Sequence, residues 1–162
     1  MCLVVLAFDV DPEHELIVAG YRDVYHARPS MDANWWPDRP NILGGRDLQA
    51  GGTWLGVTRR GRFAAVTNYR EPLEPEATMV RSRGELVTAY LESASDPKAH
   101  VLDVARTGAA YSGFNLLCGT PDELAYLSNR GGEPSTVEPG VHGLSNHLLN
   151  TDWPKVHAGR EQ

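Results

Sequence analysis

The 162-residue chain predicts an α+β domain dominated by antiparallel pairing. Three observations carry this. Short apolar runs bounded by turn residues occur at both ends of the chain. One pair of them is joined by Arg59-Arg60-Gly61, a hairpin connection with glycine near its tip. Helical periodicity is confined to a central stretch, instead of alternating with strands as a parallel sheet requires.

Taken in order, Leu3–Phe8 is a β-rich apolar run closed by Asp9, Asp11 and Pro12, which predicts a buried strand. A second strand is expected at Glu15–Ala19. Residues 20–52, rich in Pro, Gly, Trp and charge, predict a long irregular segment of the kind that usually carries function. Thr53–Thr58 and Arg62–Asn68 are the hairpin strands. Ser82–Ser93 reads as a helix, with Leu86, Val87, Tyr90 and Leu91 on one face. Asp96 and Pro97 form an N-cap and first-turn pair opening a second helix that should stop near Gly108. Three short strands follow at about 114–119, 124–128 and 135–138, the last two separated by the turn Asn129-Arg130-Gly131-Gly132.

The length suits one domain spanning residues 1–162, with a hydrophobic content of 41% and 22% charged residues, ordinary for a globular chain. A net charge of −6 argues against nucleic-acid binding, which depends on cations neutralising phosphates. The first apolar run is far short of the ~20 residues a membrane span needs, and it lacks the features of a signal peptide. With two cysteines, Cys2 and Cys118, this predicts a reduced, cytoplasmic protein without a structural disulfide. Cys118, within Phe114-Asn115-Leu116-Leu117-Cys118, reads as an inert buried strand thiol. The histidines show no zinc spacing and no Cys-x-x-Cys occurs, so no metal site is expected. Trp35 and Trp36 read as loop-packing aromatics. Gly51-Gly52-Thr53-Trp54 lacks the Lys-Ser/Thr of a phosphate loop. It is expected to let backbone pass close to the N-terminus, with Trp54 walling a pocket.

Cys2 is the principal candidate for chemistry. If Met1 is removed, as a small second residue permits, one residue carries a thiol and a free α-amine. Their ordinary pKa values, about 8.5 and 7.7–8.0, both lie near working pH. A nucleophile carrying its own base is the logic of N-terminal nucleophile hydrolases. Cys2 should stand at the exposed mouth of the first strand.

Several strings occur in a fixed order: Arg22-Asp23, Arg28-Pro29, Gly45-Arg46-Asp47-Leu48, Gly51-Gly52-Thr53-Trp54-Leu55-Gly56, Gly61 to Arg70, Ser82-Arg83-Gly84-Glu85-Leu86, Gly113 to Leu117, Ser128-Asn129-Arg130, Gly143-Leu144-Ser145-Asn146 and Trp153-Pro154-Lys155-Val156. As an ordered set the chain resembles the NRDE family, also called the transport and Golgi organisation protein 2 family, over nearly its whole length. The resemblance implies an N-terminal nucleophile-type αββα sandwich of antiparallel sheets. Family members usually continue beyond Trp-Pro-Lys-Val, so the sandwich is expected to be C-terminally incomplete. The motif that names the family, Asn-Arg-Asp-Glu, reads Tyr21-Arg22-Asp23-Val24 here, keeping the charged centre and changing both flanks.

By analogy with related N-terminal cysteine hydrolases, Arg22 and Asp23 would flank Cys2. The pair reads equally as a brace for the following loop. Successive strand residues face opposite ways, so only one can point at Cys2 unless the strand has already ended. Asn68 and Asn146 are candidate oxyanion donors, or strand-end and turn asparagines bonding their own backbone. Asn115, in an apolar strand, needs partners for a buried amide and reads as a brace. The catalytic set is therefore Cys2, Arg22, Asp23, Asn68 and Asn146.

Two functional classes follow. One is an amidase-like hydrolase attacking a small-molecule amide or thioester, with no cofactor required. The other, implied by the resemblance, is a non-enzymatic haem or lipid/cofactor binding and trafficking protein, in which Cys2 or a histidine would serve as haem's axial donor. A truncated, inactive paralogue is a third. The expected partner is a small-molecule ligand.

Overall fold

The computed structural model describes residues 2–23, 27–71 and 81–161. Met1 and Val24, both named above, and His26, one of the histidines without zinc spacing, lie outside them. The strands are β1 (Leu3–Phe8), β2 (Leu16–Tyr21), β3 (Ser30–Trp36), β4 (Arg39–Asp47), β5 (Leu55–Thr58), β6 (Phe63–Asn68), β7 (Phe114–Gly119), β8 (Leu124–Ser128), β9 (Ser135–Thr136) and β10 (Gly140–Leu144). The helices are α1 (Gly84–Glu92), α2 (Pro97–Thr107) and α3 (Pro154–Arg160). All strand pairing is antiparallel, in a three-stranded sheet β10-β1-β2 and a seven-stranded sheet β3-β4-β5-β6-β7-β8-β9.

The sheets face each other across an apolar layer. Val4, Leu6 and Phe8, alternate residues of β1, meet Phe63, Ala65, Leu117 and Leu124 of the larger sheet. The other face of β6, β7 and β8 carries Ala64, Val66, Leu116, Cys118 and Leu127, covered by Leu86, Val87, Tyr90 and Leu91 of α1 and Val101 and Val104 of α2. Strands β6, β7 and β8 are thus buried on both faces, whereas burial alternates along β1 although its sequence is apolar throughout. On the far side α3 packs on β10 and β1, Val156 lying over Gly143 and Gly159 against Val5. The order of layers is helix, sheet, sheet, helix. The α3 layer is the thinner one, and Ile17 and Val141 remain exposed on the small sheet.

The local signals act as their chemistry dictates. Asp96 caps α2 by accepting from the Ala99 amide at 2.7 Å, and Pro97 occupies its first turn. Gly61 supplies the positive φ of 76° that the β5–β6 turn requires.

Among the described residues of the stretch 20–52, regular structure replaces much of the expected irregular segment. Residues 30–47 form the hairpin β3–β4, which extends the large sheet through Ile42–Thr58, Leu43–Val57 and Gly44–Gly56 pairing. Pro40, Gly44 and Gly45 disguise these strands in the sequence. At Gly44 a Cβ would lie 2.8 Å from the Leu55 carbonyl oxygen, so the glycine is a requirement of close strand approach. Trp36 is buried, its Nε1 donating to Gly44 O at 2.9 Å with the Arg46 guanidinium 4.4 Å from its ring. Strand β2 runs to Tyr21, two residues beyond the expected end. Strand β10 and helix α3 also went unread. The Trp153-Pro154 step, with proline in the first turn, is the signal for α3.

Candidate functional site

The registers of β1 bring chemistry to its first residue. Leu3 pairs with Tyr21, so Arg22 and Asp23 leave β2 directly across from Cys2. On the other side Val4 pairs with Leu144, which carries Ser145 and Asn146 past the same point. Ser145 Oγ donates to the Cys2 carbonyl at 2.7 Å, and Lys155 Nζ, from the first turn of α3, reaches it at 3.3 Å. The Cys2 backbone is thereby held from two directions.

Cys2, Arg22, Asp23 and Asn68 line one cavity of about 760 Å³, together with Arg28, Asp47, Trp54, Arg81, Ser82 and Arg83. Its size is that of a small-molecule site. Cys2 is 8% exposed, so it lies in the wall of the cavity and not at an open strand mouth, because β2 and the segment after β10 flank it. Asn146 is not in the lining. It is buried, and its Nδ2 donates to the Asn68 carbonyl at 3.0 Å while its own carbonyl accepts from the Arg70 amide at 2.7 Å. From there it fixes the end of β6 and so the position of Asn68.

Arg22 does not pair with its neighbour Asp23. It reaches Asp47 at 3.3 Å, which Arg28 also binds at 2.7 Å. Burial acts to raise the Asp47 carboxyl, but Arg28 and the Ala50 and Gln49 amides outweigh it and hold the carboxyl below its ordinary value. The buried Asp47 thus ties the exit of β2 to the end of β4. It sits in the Gly45-Arg46-Asp47-Leu48 string, where only its recurrence as a motif marked it.

Opposite Cys2, Gly52 packs on Gly84 at the start of α1. A Cβ on Gly52 would stand 2.6 Å from the Gly84 carbonyl carbon. Gly52 therefore admits α1 to the cavity and Gly51 supplies a positive φ of 79°, where the sequence suggested close approach to the N-terminus. Arg83, the residue before α1, donates Nη1 to Gly113 O at 3.0 Å. Burial holds its guanidinium below the ordinary value, with Glu71 and Cys2 acting in the other direction. Lys155 is likewise lowered by burial, against the fields of Cys2 and Asp23. Trp54 walls the cavity and also closes a second, more apolar groove of about 550 Å³ lined by Leu16, Val18 and Phe63.

Beneath the site lies a buried polar chain. Asn115 donates to Thr67 Oγ1 at 3.2 Å and to His147 O at 3.0 Å, and accepts from the Tyr126 hydroxyl at 2.8 Å. Thr67 donates to Ser145 O at 2.6 Å, and Tyr126 accepts from the Leu149 amide at 3.1 Å. Asn115 is completely buried and fully satisfied, a brace that anchors residues 145–149 to β6 and β7. Cys118 is also fully buried, its thiol pushed up to about 12 by desolvation. Among the described residues no His, Cys, Asp and Glu side chains cluster as a metal site. None has a helix long and apolar enough to cross a membrane. Among the described residues of the lining, Cys2 is the soft donor, and the apolar side chains are those of Ala50, Trp54 and Val66.

Two antiparallel sheets between helical layers, with a cysteine leading the first strand onto a polar cavity, define an α+β sandwich protein. Within that class, the chain belongs to the Transport and Golgi organisation 2 family, whose sequence model matches residues 1–162. It is 40% identical over 175 residues to the Transport and Golgi organization 2 homolog of Mus musculus, the match covering 99% of this chain and 62% of the mouse protein. The Homo sapiens homolog is 39% identical with the same coverage. The Drosophila melanogaster Transport and Golgi organization protein 2 is 28% identical over 185 residues, covering 100% of this chain and 63% of the fly protein. The chain thus spans less than two thirds of the length of these relatives.

Proposed function

We propose that the protein is an N-terminal cysteine nucleophile hydrolase acting on a small-molecule amide or thioester. One observation carries this: Cys2 shares a cavity wall with Arg22, Asp23 and Asn68, on a backbone held by Ser145 and Lys155. Removal of Met1 would free the Cys2 α-amine. The amine takes the thiol proton as sulfur attacks the carbonyl carbon, and the C–O π pair moves onto oxygen. The Asn68 side chain is the oxyanion donor, positioned by Asn146 through the main chain. Collapse expels the amine or thiol leaving group, which takes the proton back from the α-ammonium and leaves an acyl thioester on Cys2. Water, deprotonated by the same amine, then cleaves the thioester and restores the thiol. Arg22, clamped by Asp47, supplies fixed positive charge beside the reacting centre.

Intact mass and limited alkylation near neutral pH test this. Loss of Met1 and labelling of Cys2 well before Cys118 are expected, with an acyl probe trapped on the wild type and not on Cys2→Ala. Retained Met1, or labelling of Cys118 first, would sink the proposal. Alkylation of Cys2 with no acyl transfer from any amide or thioester would leave a binding protein, the haem or lipid-cofactor alternative.

A further inference from the structure

We propose that the ligand processed at Cys2 carries an anionic oxygen group, a carboxylate or a phosphate, held by the guanidinium of Arg83 with Arg81 beside it. This rests on the cavity being the reaction site, as proposed above. The chain is acidic overall, with a net charge of −6, yet among the described residues its cavity gathers Arg22, Arg28, Arg81 and Arg83 against Asp23 and Asp47. Asp47 is engaged by Arg22 and Arg28 and by two backbone amides. Arg81 pairs with Glu85 at 2.8 Å on the rim.

Arg83 is different. It is half-buried, and among the described residues its hydrogen bond is one N–H to the neutral Gly113 carbonyl. Among the described residues no carboxylate lies within ion-pair distance of it. The nearby Glu71 already spends its oxygens on Arg130, at 2.6 Å, and on the Gly113 amide, at 2.7 Å. Gly113 is thus gripped at both its N–H and its C=O, and its carbonyl also accepts from the Tyr69 amide at 2.9 Å. This fixes the Arg83 fork in place before any ligand arrives. A guanidinium has five donors in a planar fork that matches two oxygens of a carboxylate or phosphate. Among the described residues, Arg83 therefore reaches the cavity with one of its donors engaged and no carboxylate paired to it directly. Ser82 and Ser112, also in the lining, add neutral donors to the same wall.

The test compares iodoacetate with iodoacetamide, reagents of nearly equal size that differ by one carboxylate, on the full chain. The rate ratio at Cys2 is read by peptide mass spectrometry against the same ratio for glutathione. A ratio about fivefold above glutathione at low salt is expected, falling toward it in Arg83→Gln and in 0.5 M salt by roughly the screening of one charge. A ratio at or below that of glutathione, or one unchanged in Arg83→Gln, overturns the proposal. Arg81→Gln, on an exposed side chain, provides the same comparison should Arg83→Gln fail to fold. If Cys2 reacts with neither reagent, the nucleophile reading fails by itself. The anion site is then decided by thermal unfolding of Cys2→Ala in acetate or inorganic phosphate against chloride of equal ionic strength. Stabilisation by acetate alone assigns a carboxylate and by phosphate alone a phosphate, in each case abolished by Arg83→Gln. Stabilisation by neither overturns the proposal.

Discussion

Asn115→Leu should cost the fold about 3–4 kcal/mol, because it removes a buried amide with three partners while leaving those partners in place. The side chain is completely enclosed and its volume is nearly preserved by leucine, so cavity formation contributes little. What remains is the loss of bonds to Thr67 Oγ1, His147 O and the Tyr126 hydroxyl. Thr67 keeps its bond to Ser145 O, so its loss is small. The Tyr126 hydroxyl and the His147 carbonyl lose an acceptor and a donor in a water-poor layer, at about 1–3 kcal/mol for each stranded group. Urea unfolding is the assay. With a slope of about 2 kcal/mol/M, the midpoint should fall by roughly 1.5–2 M at unchanged slope. Tyr126→Phe alone should cost about 1–2 kcal/mol, and the double variant should lose clearly less than the sum, since both remove the same bond. Because the amide anchors residues 145–149, their hydrogen exchange should quicken before that of β6. A loss under about 1 kcal/mol, or strict additivity with Tyr126→Phe, would refute the bracing role.

Two further perturbations bear on the site and the core. Asp47→Asn should release Arg22 and Arg28 at a cost of about 1–3 kcal/mol and should flatten the acid limb of the stability profile. The Asp47 carboxyl is held below its ordinary value, so its contribution is present above pH 3.8 and lost as pH falls through the lower folded value. An acid limb unchanged by the substitution would contradict this. At the alkaline end, burial pushes the Cys118 thiol up to about 12, well above an exposed thiol, so its contribution is intact at neutral pH and lost as pH rises toward 12. The slope this adds is at most about 1.4 kcal/mol per pH unit. Cys118→Ala should reduce the slope, and an equally steep loss in that variant would assign it to other groups, Tyr90 first among them.

The elements whose chemistry is local were legible in the amino-acid sequence. The apolar run of β1, the Asp96-Pro97 start of α2, the glycine-tipped β5–β6 turn and the continuous apolar strands β7 and β8 each follow from neighbouring residues. So does the candidacy of Cys2, whereas Arg22-Asp23, Asn68 and Asn146 were marked by the resemblance to the family and not by local chemistry. The hairpin β3–β4 was not legible, since Pro40, Gly44 and Gly45 are poor strand formers. Only pairing with β5 makes them a sheet. The composition of the site is likewise a tertiary decision. Arg22 and Asp23 stand across from Cys2 because β1 and β2 pair in one register and β2 ends at Tyr21, so a slip of that register would carry them away from the cysteine. Asp47 meets Arg22, and Arg83 meets Gly113, over separations of 25 and 30 residues. No periodicity in the chain encodes such contacts. They exist because two sheets stacked on one apolar layer bring their strand ends to a common rim, where charged residues that read as loop become the walls of one cavity.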